Sequence, residues 1–424
     1  MQITTHNRPW NALEQIGFRF LFTFLFLNIA LSTFLPIIGD LWGDYHYYPA
    51  FVVQNYLLDL HETPRWKHSL TGSGDSLDDW TLQLAYLGIA LIVTLIWTLV
   101  DRGRKSYTFL SFWTKIGVRY YLAYVMFVYG ILKMFVLQMP YPSLTQFYTP
   151  LGDFTPMRFT WMYIGYSEPY QFLSGFLEAL GGLLILFRRT LIVGLLLLLG
   201  VLGNVVLLNF LYGVPVKLFS ATLWLMCIYL LAEYIPKLIN FFLLNKQETI
   251  ERFEFNLTTP WKKYGRLFLK YGFMAYAIFT LVRDDIKYSQ RRQTFAPFEL
   301  EGAFDVYSFK TNGIDDKLAV DTTRWNQIVI NKSRNGTSGF GHVLLGTSIR
   351  EGAIFKLDSL NQLSITPRGD RLEAFEGMHV KGGNDFIWEG MMGKDSVQLM
   401  LRRNEKEFTL DSREFMWIME QKDF

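Results

Sequence analysis

The chain is poor in cysteine: it has a single residue of this type, Cys227, in 424 positions, so no intrachain disulfide can form. It has no cysteine cluster that could ligate zinc or an iron–sulfur centre, and no His-Glu-x-x-His motif that would mark a zinc-binding helix. A Gly-rich loop that could cradle phosphate before a helix is also absent. The sequence therefore indicates no metal site and no intrinsic cofactor.

Histidine is scarce as well, and none of it falls inside a long apolar segment. A haem held within a helical bundle needs axial ligands such as paired histidines. No haem is therefore expected between these helices. The formal net charge of +3 gives no indication of nucleic-acid binding. The six histidines are His6, His46, His61, His68, His342 and His379.

Long apolar segments dominate the first two thirds of the chain. Hydrophobic residues make up 50% and aromatic residues 17% of the sequence, well above the soluble norm. Seven segments approach the ~20 residues that a membrane span needs, and they predict a polytopic α-helical membrane bundle of about seven transmembrane helices. The seventh is short and carries Lys270, which suits either a span or an interfacial helix; we expect a span. The segments are Ile16–Ile38, Leu82–Val100, Ile116–Met139, Tyr170–Phe187, Thr190–Tyr212, Leu218–Tyr234 and Leu267–Val282.

The charges between these segments predict an orientation, because lysine and arginine in short connections stay in the cytoplasm. The basic 101–115 connection and the Arg188-Arg189 turn should be cytoplasmic, and the 140–169 connection should lie outside. In a bacterial cytoplasmic membrane, this alternation places the N-terminus inside and the C-terminal region outside. The first segment is too long for a signal peptide and should be retained as an anchor. The basic residues that follow the seventh segment weaken this charge bias: Arg283, Lys287, Arg291 and Arg292.

Three polar residues interrupt the central apolar segments. Counted inward at about 1.5 Å per residue, Lys133 lies roughly 9 Å from Met139, and Glu178 and Asn204 lie roughly 12 Å from the ends of their own segments. If the helices alternate in direction, these side chains share one layer. A lipid-facing charge would cost about 3 kcal/mol or more, so Lys133 and Glu178 should face inward and pair. The alternative is a pair that only sets the register of two helices.

Small residues accompany these polar positions. Glu178 lies on a stripe with Gly175 and Gly182, and Asn204 lies between Gly200 and Leu208 at spacings of four. Small residues let helices approach closely in lipid, so a polar group there should contact protein. We therefore expect a ligand-binding cluster, with two of its members nearer the outer mouth, Asn209 and Lys217. The candidate residues are Tyr129, Lys133, Glu178, Asn204, Asn209 and Lys217.

Two connections expected outside are rich in aromatic residues, which sit well at the headgroup level. The second, 140–169, is also punctuated by five prolines, which favours short interfacial pieces over another span. We interpret it as a lid over the bundle mouth; an aromatic belt without a gating role is the alternative. The aromatic residues are Trp42, Tyr45, Tyr47 and Tyr48 in the first connection, and Tyr141, Phe147, Tyr148, Phe154, Trp161, Tyr163 and Tyr166 in the second.

After Arg292 the pattern changes to short alternating segments divided by turn residues such as Asn312-Gly313, Asn335-Gly336 and Gly382-Gly383-Asn384. We expect a helical membrane domain over 1–283, a linker over 284–296 and an antiparallel all-β barrel or sandwich over 297–424. The predicted strands are Glu301–Phe309, Trp325–Asn331, Ala353–Leu357, Gln362–Thr366, Leu372–Phe375, Asp385–Trp388, Ser396–Arg402, Phe408–Leu410 and Phe415–Met419.

The motif Gly130-x-x-Lys133, followed by Glu178-x-x-Gly181-Gly182-x-x-Ile185 and Arg188-Arg189, resembles the DoxX-like membrane family over about 116–234. The resemblance implies a four-helix bundle and a subunit of a quinone-linked redox system. It does not cover the first two helices, the aromatic loops or the β domain. The opening strand of that domain, from Leu300 to Val306, is similar to the start of a lipocalin-type barrel.

These observations lead to three hypotheses. In the first, the chain is a quinone-linked redox subunit whose polar site hydrogen-bonds a lipid-soluble ring, with the electrons supplied by a partner or a directly bound donor. In the second, it is a non-enzymatic envelope component, anchored in the lipid bilayer by the bundle, whose β domain binds a partner. In the third it is a transporter, which has little support because inverted repeats are not evident.

Overall fold

The computed structural model describes residues 9–42, 47–60, 74–248, 259–315, 323–382 and 385–412. They form two compact units, one from 1–139 and 156–286 and the other from 140–155 and 287–424. Several features named above lie outside the described residues: His6, Tyr45, His46, His61, His68, the turn residues Gly383-Asn384, the strand Phe415–Met419, and the side chains of Trp42 and Arg292.

The helices differ widely in length, and the two longest have 31 and 34 residues. A π-helical turn, Val53–Leu57, extends the second helix, and 3-10 turns occur at Leu151–Asp153 and Ala232–Tyr234. In chain order they are α1 (Ala12–Trp42), α2 (Tyr48–Val52), α3 (Leu77–Val100), α4 (Thr108–Met134), α5 (Leu144–Phe147), α6 (Pro156–Tyr166), α7 (Glu168–Ile185), α8 (Leu191–Leu211), α9 (Lys217–Leu231), α10 (Ile235–Phe242), α11 (Pro260–Gln293) and α12 (Thr409–Ser412).

Four stretches of the described helices are long and apolar enough to cross a bilayer, as suits a membrane protein: Ala12–Ala30, Leu77–Val100, Leu191–Leu211 and Lys217–Phe242. The expected count of seven is not supported. The other three apolar segments do fall on helices, but charged and polar residues dilute them. Helix α7 has only 18 residues and contains two glutamates, α4 contains Lys115, Arg119 and Lys133, and α11 is basic at both ends.

Helices α4 and α7 form the tightest pair in the helical unit, because glycines let their backbones touch. A Cβ built on Gly130 would lie 2.7 Å from the carbonyl oxygen of Gly175, and one built on Gly182 would lie 2.9 Å from the Cβ of Met126. The small-residue stripe predicted on α7 is therefore confirmed. The equivalent prediction for α8 is wrong, because Gly200 has no atom within 4 Å of its ideal Cβ position.

Of the two architectures expected for the β domain, a barrel or a sandwich, the second unit has the barrel, which is closed and antiparallel. Eight strands form the barrel, and it closes where β9 pairs with β1, for example Leu401 opposite Val306. The remaining strand, β2, follows β1 after the predicted Asn312-Gly313 turn and pairs with it as a short antiparallel hairpin. The strands are β1 (Gly302–Thr311), β2 (Ile314–Asp315), β3 (Trp325–Ile330), β4 (Ser338–Leu345), β5 (Ile349–Leu357), β6 (Gln362–Pro367), β7 (Phe375–Gly382), β8 (Asp385–Met392) and β9 (Asp395–Asn404).

Three strand predictions need correction. Strand β4 was missed, because Gly339 and Gly341 weaken its strand pattern. In the fold these glycines leave space for neighbouring aromatic rings, since a Cβ built on Gly341 would lie 2.9 Å from the ring of Phe355. Strand β7 begins where the predicted segment 372–375 ends, and residues 408–410 run into helix α12 instead of forming a strand. The expected linker 284–296 is helical as far as Gln293.

The aromatic connection 140–169 is divided between the two units, which corrects the idea of one continuous lid. Residues 140–155 pack on the barrel, where the amide of Thr145 donates to Oδ1 of Asn331 over 2.9 Å. The ring of Phe147 stacks on Phe408 with centroids 5.3 Å apart. Helix α6, from the second half of the connection, packs in the helical unit. The barrel unit therefore includes a segment from the middle of the chain.

Candidate functional site

The helical unit contains a partly open cavity of about 230 Å³ between α4, α6, α7, α8 and α9. Its wall is mostly apolar, with a few polar groups that converge on it, which is the usual character of a small-molecule site. Five of the six candidate residues line it, and Lys217 does not. The wall residues with polar side-chain groups are Tyr129, Lys133, Gln138, Thr160, Trp161, Tyr170, Ser174, Glu178, Asn204, Asn209 and Ser220.

The predicted ion pair between Lys133 and Glu178 is present in this wall. Both residues are buried, with exposed fractions of 6% and 1%. Oε1 of Glu178 accepts from Nζ of Lys133, whereas its Oε2 is buried and has no hydrogen-bond partner among the described residues. Because an ammonium group has three N–H donors, Lys133 keeps donors beyond the one that it gives to Glu178. The pair is thus incompletely satisfied on both sides.

The local sequence explains why the ion pair forms at this position. Gly130 and Gly175 bring the α4 and α7 backbones together, and a Cβ built on Gly175 would lie 2.7 Å from the Cβ of Lys133. Glu178 lies three residues after Gly175, and residues three apart share a helix face. The close glycine contact therefore leaves Glu178 about one helical turn from Lys133, within reach of its long side chain.

The asparagines of α8 differ in their surroundings. Asn209 is buried and donates through Nδ2 to Oγ of Ser220 over 2.9 Å, which ties the end of α8 to the start of α9. Asn204 lines the cavity and makes no hydrogen bond to another described residue. Its amide group is therefore available to a ligand.

Lys217 has a different role from the one expected. Its backbone amide donates to Oδ2 of Asp75 over 2.7 Å, and its Nζ lies 3.4 Å from the same oxygen. The amide of Leu218 donates to the other oxygen of Asp75 over 3.0 Å. Asp75 thus caps the first turn of α9, and Lys217 strengthens that cap.

Sequence reasoning missed Gln138, which follows α4. Its Oε1 is buried and has no hydrogen-bond partner in the part of the chain that the structure describes. The next residue is held firmly, since the amide of Met139 donates to Oε1 of Gln171 over 3.0 Å and its carbonyl accepts from Nε2 of Gln171 over 2.7 Å. A signal was available, because Gln138 and Gln171 are polar residues at the facing ends of two apolar segments.

Helix α6 supplies one side of the cavity through Met157, Thr160, Trp161 and Ile164. Helix α6 is one of the short pieces expected in the 140–169 connection, and it borders the cavity, whereas residues 140–155 belong to the barrel unit. Among the residues that the structure describes, no group of three His, Cys, Asp or Glu side chains is placed to hold a metal ion. The described wall therefore offers hydrogen bonds, one ion pair and apolar contact.

Comparisons with known proteins place the chain in a family without assigning an activity. No protein-family model and no solved structure matches it. Over 122 residues, 27% of this chain, the sequence is 30% identical to the Bacillus subtilis (strain 168) protein described as "Uncharacterized protein YwoB", and the match covers 71% of that protein. At this identity and coverage, the chain belongs to the same family as YwoB.

Proposed function

We propose that the helical unit binds a small lipid-soluble ring compound of the quinone class in its cavity, and that the chain serves as a subunit of a quinone-linked redox system of the DoxX-like kind. The observation that carries the proposal is the buried Lys133–Glu178 ion pair, both members of which line a mostly apolar cavity. A partner protein or a directly bound donor would supply the electrons.

The size of the cavity suits a ring. An engineered apolar cavity of about 150 Å³ binds benzene, so the volume of about 230 Å³ here offers room for one or two fused rings. Met126, Leu202, Phe219 and Leu223 give apolar contact. A long isoprenoid tail would not fit within this volume and would have to extend into the lipid.

The polar groups suit the oxygens of such a ring. A quinone carbonyl can accept from Lys133 or from the amide of Asn204, and both line the cavity. Oε1 of Glu178 accepts from Nζ of Lys133 and so fixes the position of the lysine side chain in the wall. A helix clamp alone would need the ion pair but would not need a cavity beside it.

We also propose that α4, α7 and α11 cross the bacterial cytoplasmic membrane together with the four long apolar stretches. Support comes from apolar side chains that these helices expose, such as Phe172 and Leu173 on α7 and Phe268 on α11. The basic 101–115 connection is then cytoplasmic and the barrel extracytoplasmic. Alkaline phosphatase fused after residue 300 should be active in a bacterial host and inactive after Lys105; an inactive fusion after 300 would refute this orientation.

Filling the cavity tests the binding proposal. Asn204→Phe puts a bulky ring at an exposed position that lines the cavity and leaves both members of the ion pair in place, and the matched control Leu207→Phe changes an exposed leucine on the same helix that does not line the cavity. Protein purified in native-lipid discs should release a ring compound into organic extracts, detected by mass spectrometry. The control should keep this compound and Asn204→Phe should lose it.

The same extracts can contradict the proposal. If wild type and both variants yield identical extracts with no ring compound above the lipid background, the cavity does not hold such a ligand. The second hypothesis would then lead, with the bundle as an anchor and the barrel as the binding domain.

A further inference from the structure

Arg119, in the first half of α4, is a half-buried cation without a counter-ion among the described residues. Its guanidinium makes no hydrogen bond or ion pair in the part of the chain that the structure describes, and its one recorded neighbour is the ring of Tyr120, 6.0 Å from Cζ to the centroid. Nε is enclosed, whereas Nη1 and Nη2, which also lack a partner there, stay accessible. The two outer nitrogens can therefore donate to a group that comes from outside the helices.

The packing of α4 and α7 brings a second arginine close to this guanidinium. The two helices are antiparallel along the glycine contacts described above, and a Cβ built on Gly182 would lie 3.2 Å from the carbonyl oxygen of Ala123. Arg119 lies one turn before Ala123, and Arg188 lies in the turn that follows α7. The charges of the two arginines are within electrostatic range of each other. Two like charges repel, so an anion beside both would stabilise this end of the bundle.

Helix α11 adds a third basic residue next to the same turn. Nζ of Lys270 lies 4.1 Å from the ring centroid of Phe187, the residue before Arg188. The ring of Tyr271 lies 6.4 Å from the ring of Phe187, so this part of α11 packs on the turn. Three elements, α4, the α7–α8 turn and α11, thus place basic residues at one end of the helical unit.

The carboxylate of Glu233 does not neutralise these charges. It forms an ion pair with Lys115, four residues before Arg119 on α4. Its charge also acts on Tyr234, whose hydroxyl group is within electrostatic range of both Arg119 and Arg188. The tyrosine hydroxyl is a further hydrogen-bond donor near the two arginines.

Arg119 lies at the depth of a lipid headgroup if α4 crosses the membrane as proposed above. It is three residues inside the apolar segment that begins at Ile116, roughly 5 Å at the helical rise per residue. Arginine side chains near the end of a span extend toward the interface. Phe109 and Trp113, in the preceding turns of α4, are exposed aromatic residues, which are typical of that interface.

The chemistry of this cluster suits a phosphate group. A guanidinium presents a planar set of N–H donors that matches two phosphate oxygens, and basic clefts between membrane helices bind anionic headgroups. We infer that Arg119, Arg188 and Lys270 bind the phosphate of an anionic phospholipid headgroup, at a site apart from the cavity. A choline headgroup carries the same phosphate but adds a cation that Arg188 and Lys270 would repel. The inference goes beyond the proposed ring ligand and shares with it only the membrane placement of α4 and α7.

The test compares two lipids that have the same acyl chains and phosphate, dioleoyl phosphatidylglycerol and dioleoyl phosphatidylcholine. The full chain is purified in detergent and titrated with each lipid, and native mass spectrometry counts the bound molecules. The wild type should bind the glycerol lipid at least about tenfold more tightly, because a hydrogen bond to a charged group changes affinity by a factor of about 10 to about 100. Arg119→Gln should abolish this preference, and Arg119→Lys should restore it only in part, since lysine keeps the charge without the planar fork.

The matched control is Arg102→Gln, which removes the same charge from an exposed position in the other connection expected in the cytoplasm. It should change the preference by no more than about fivefold, the effect of one basic residue near a charged surface. If Arg119→Gln does not fold, Arg188→Gln decides, because it changes an exposed turn residue and should reduce the preference by about tenfold.

Three results would overturn the inference. One is equal affinity of the wild type for the two lipids, and another is an equal loss in Arg102→Gln and in the site variants, which would mean a general charge effect. The third is displacement of the glycerol lipid by inorganic phosphate at the same concentration, which would assign the site to free phosphate. The ring compound is a separate readout, because Arg119→Gln should still release it into the organic extracts described above.

Discussion

Replacing Lys133 alone with methionine should destabilise the helical unit strongly. Oε1 of Glu178 would lose its partner, and Oε2 already has none, so the carboxylate would be left buried with neither oxygen paired. Breaking a buried ion pair by removing one member costs about 3–5 kcal/mol. At about 2–4 °C per kcal/mol for a unit of this size, the midpoint of thermal unfolding should fall by roughly 6–20 °C.

Replacing both members should reverse this loss. Apolar side chains of similar volume need no partner, and such replacements are often neutral or stabilising by about 1–4 kcal/mol. The double variant Lys133→Met/Glu178→Leu should therefore unfold at or above the wild-type temperature. Because the two substitutions are in contact, their effects should be strongly non-additive.

The chain provides its own reporter for this measurement. Cys227 is its single cysteine, and it is buried in α9 within hydrogen-bonding distance of the Leu195 carbonyl oxygen at 3.2 Å. A thiol-reactive fluorophore therefore reports unfolding of the helical core without any added label site. Arg189→Met, at an exposed turn position, is the control and should change stability by no more than about 0.5 kcal/mol.

Two results would refute this reasoning. If Lys133→Met unfolds at the wild-type temperature, Glu178 is not an uncompensated buried charge, either because it is protonated or because solvent reaches it. If the double variant is as unstable as the single variant, the loss comes from packing and not from an unpaired charge.

Two further predictions concern the barrel unit. Residues 287–424 expressed without residues 140–155 should unfold at a lower temperature than the same residues with that segment linked to them, because Phe408 loses its stacked ring; equal melting curves by circular dichroism would contradict this. Burial lowers the pKa of His379 below its usual value of 6.5, against an opposing effect of Glu299. Below about pH 6.5 the unfolded barrel therefore binds more protons than the folded barrel. The contribution of His379 to the free energy of unfolding should be complete above that pH and should decrease as the pH drops. His379→Gln should flatten this pH dependence in denaturant titrations, and an unchanged slope would show that another group titrates.

The ion pair could be predicted from the sequence because helices are regular. A fixed rise per residue gives the depth of Lys133 and Glu178 in their segments, and the energetic cost of a charge in lipid gives their direction. The glycines of α7 could be predicted for the same reason, since spacings of three and four define a face. Each of these predictions needs only local helix geometry, and the ion pair also needs one large energetic term, the cost of placing a charge in lipid.

Gln138 and the position of residues 140–155 could not be predicted in this way. A connection of this kind has no period that fixes which side chains turn inward, and its contacts depend on partners far along the chain, such as Thr145 with Asn331. Tyr141, Phe147 and Tyr148 suit a membrane interface and a protein surface equally well by composition. Apolar content alone predicts seven spans, whereas the charges in α4, α7 and α11 leave four described stretches that qualify by length and composition.

The structural and the functional interpretation of the Lys133–Glu178 pair do not exclude each other. The contact of Gly130 with Gly175 leaves little space between the α4 and α7 backbones, and Lys133 and Glu178 contact each other and also line the cavity. A pair in this position holds the two helices together and forms part of the wall that a ligand would contact. The double apolar variant separates these roles, because it should keep or raise the stability of the helical unit while it removes both charged side chains from the wall.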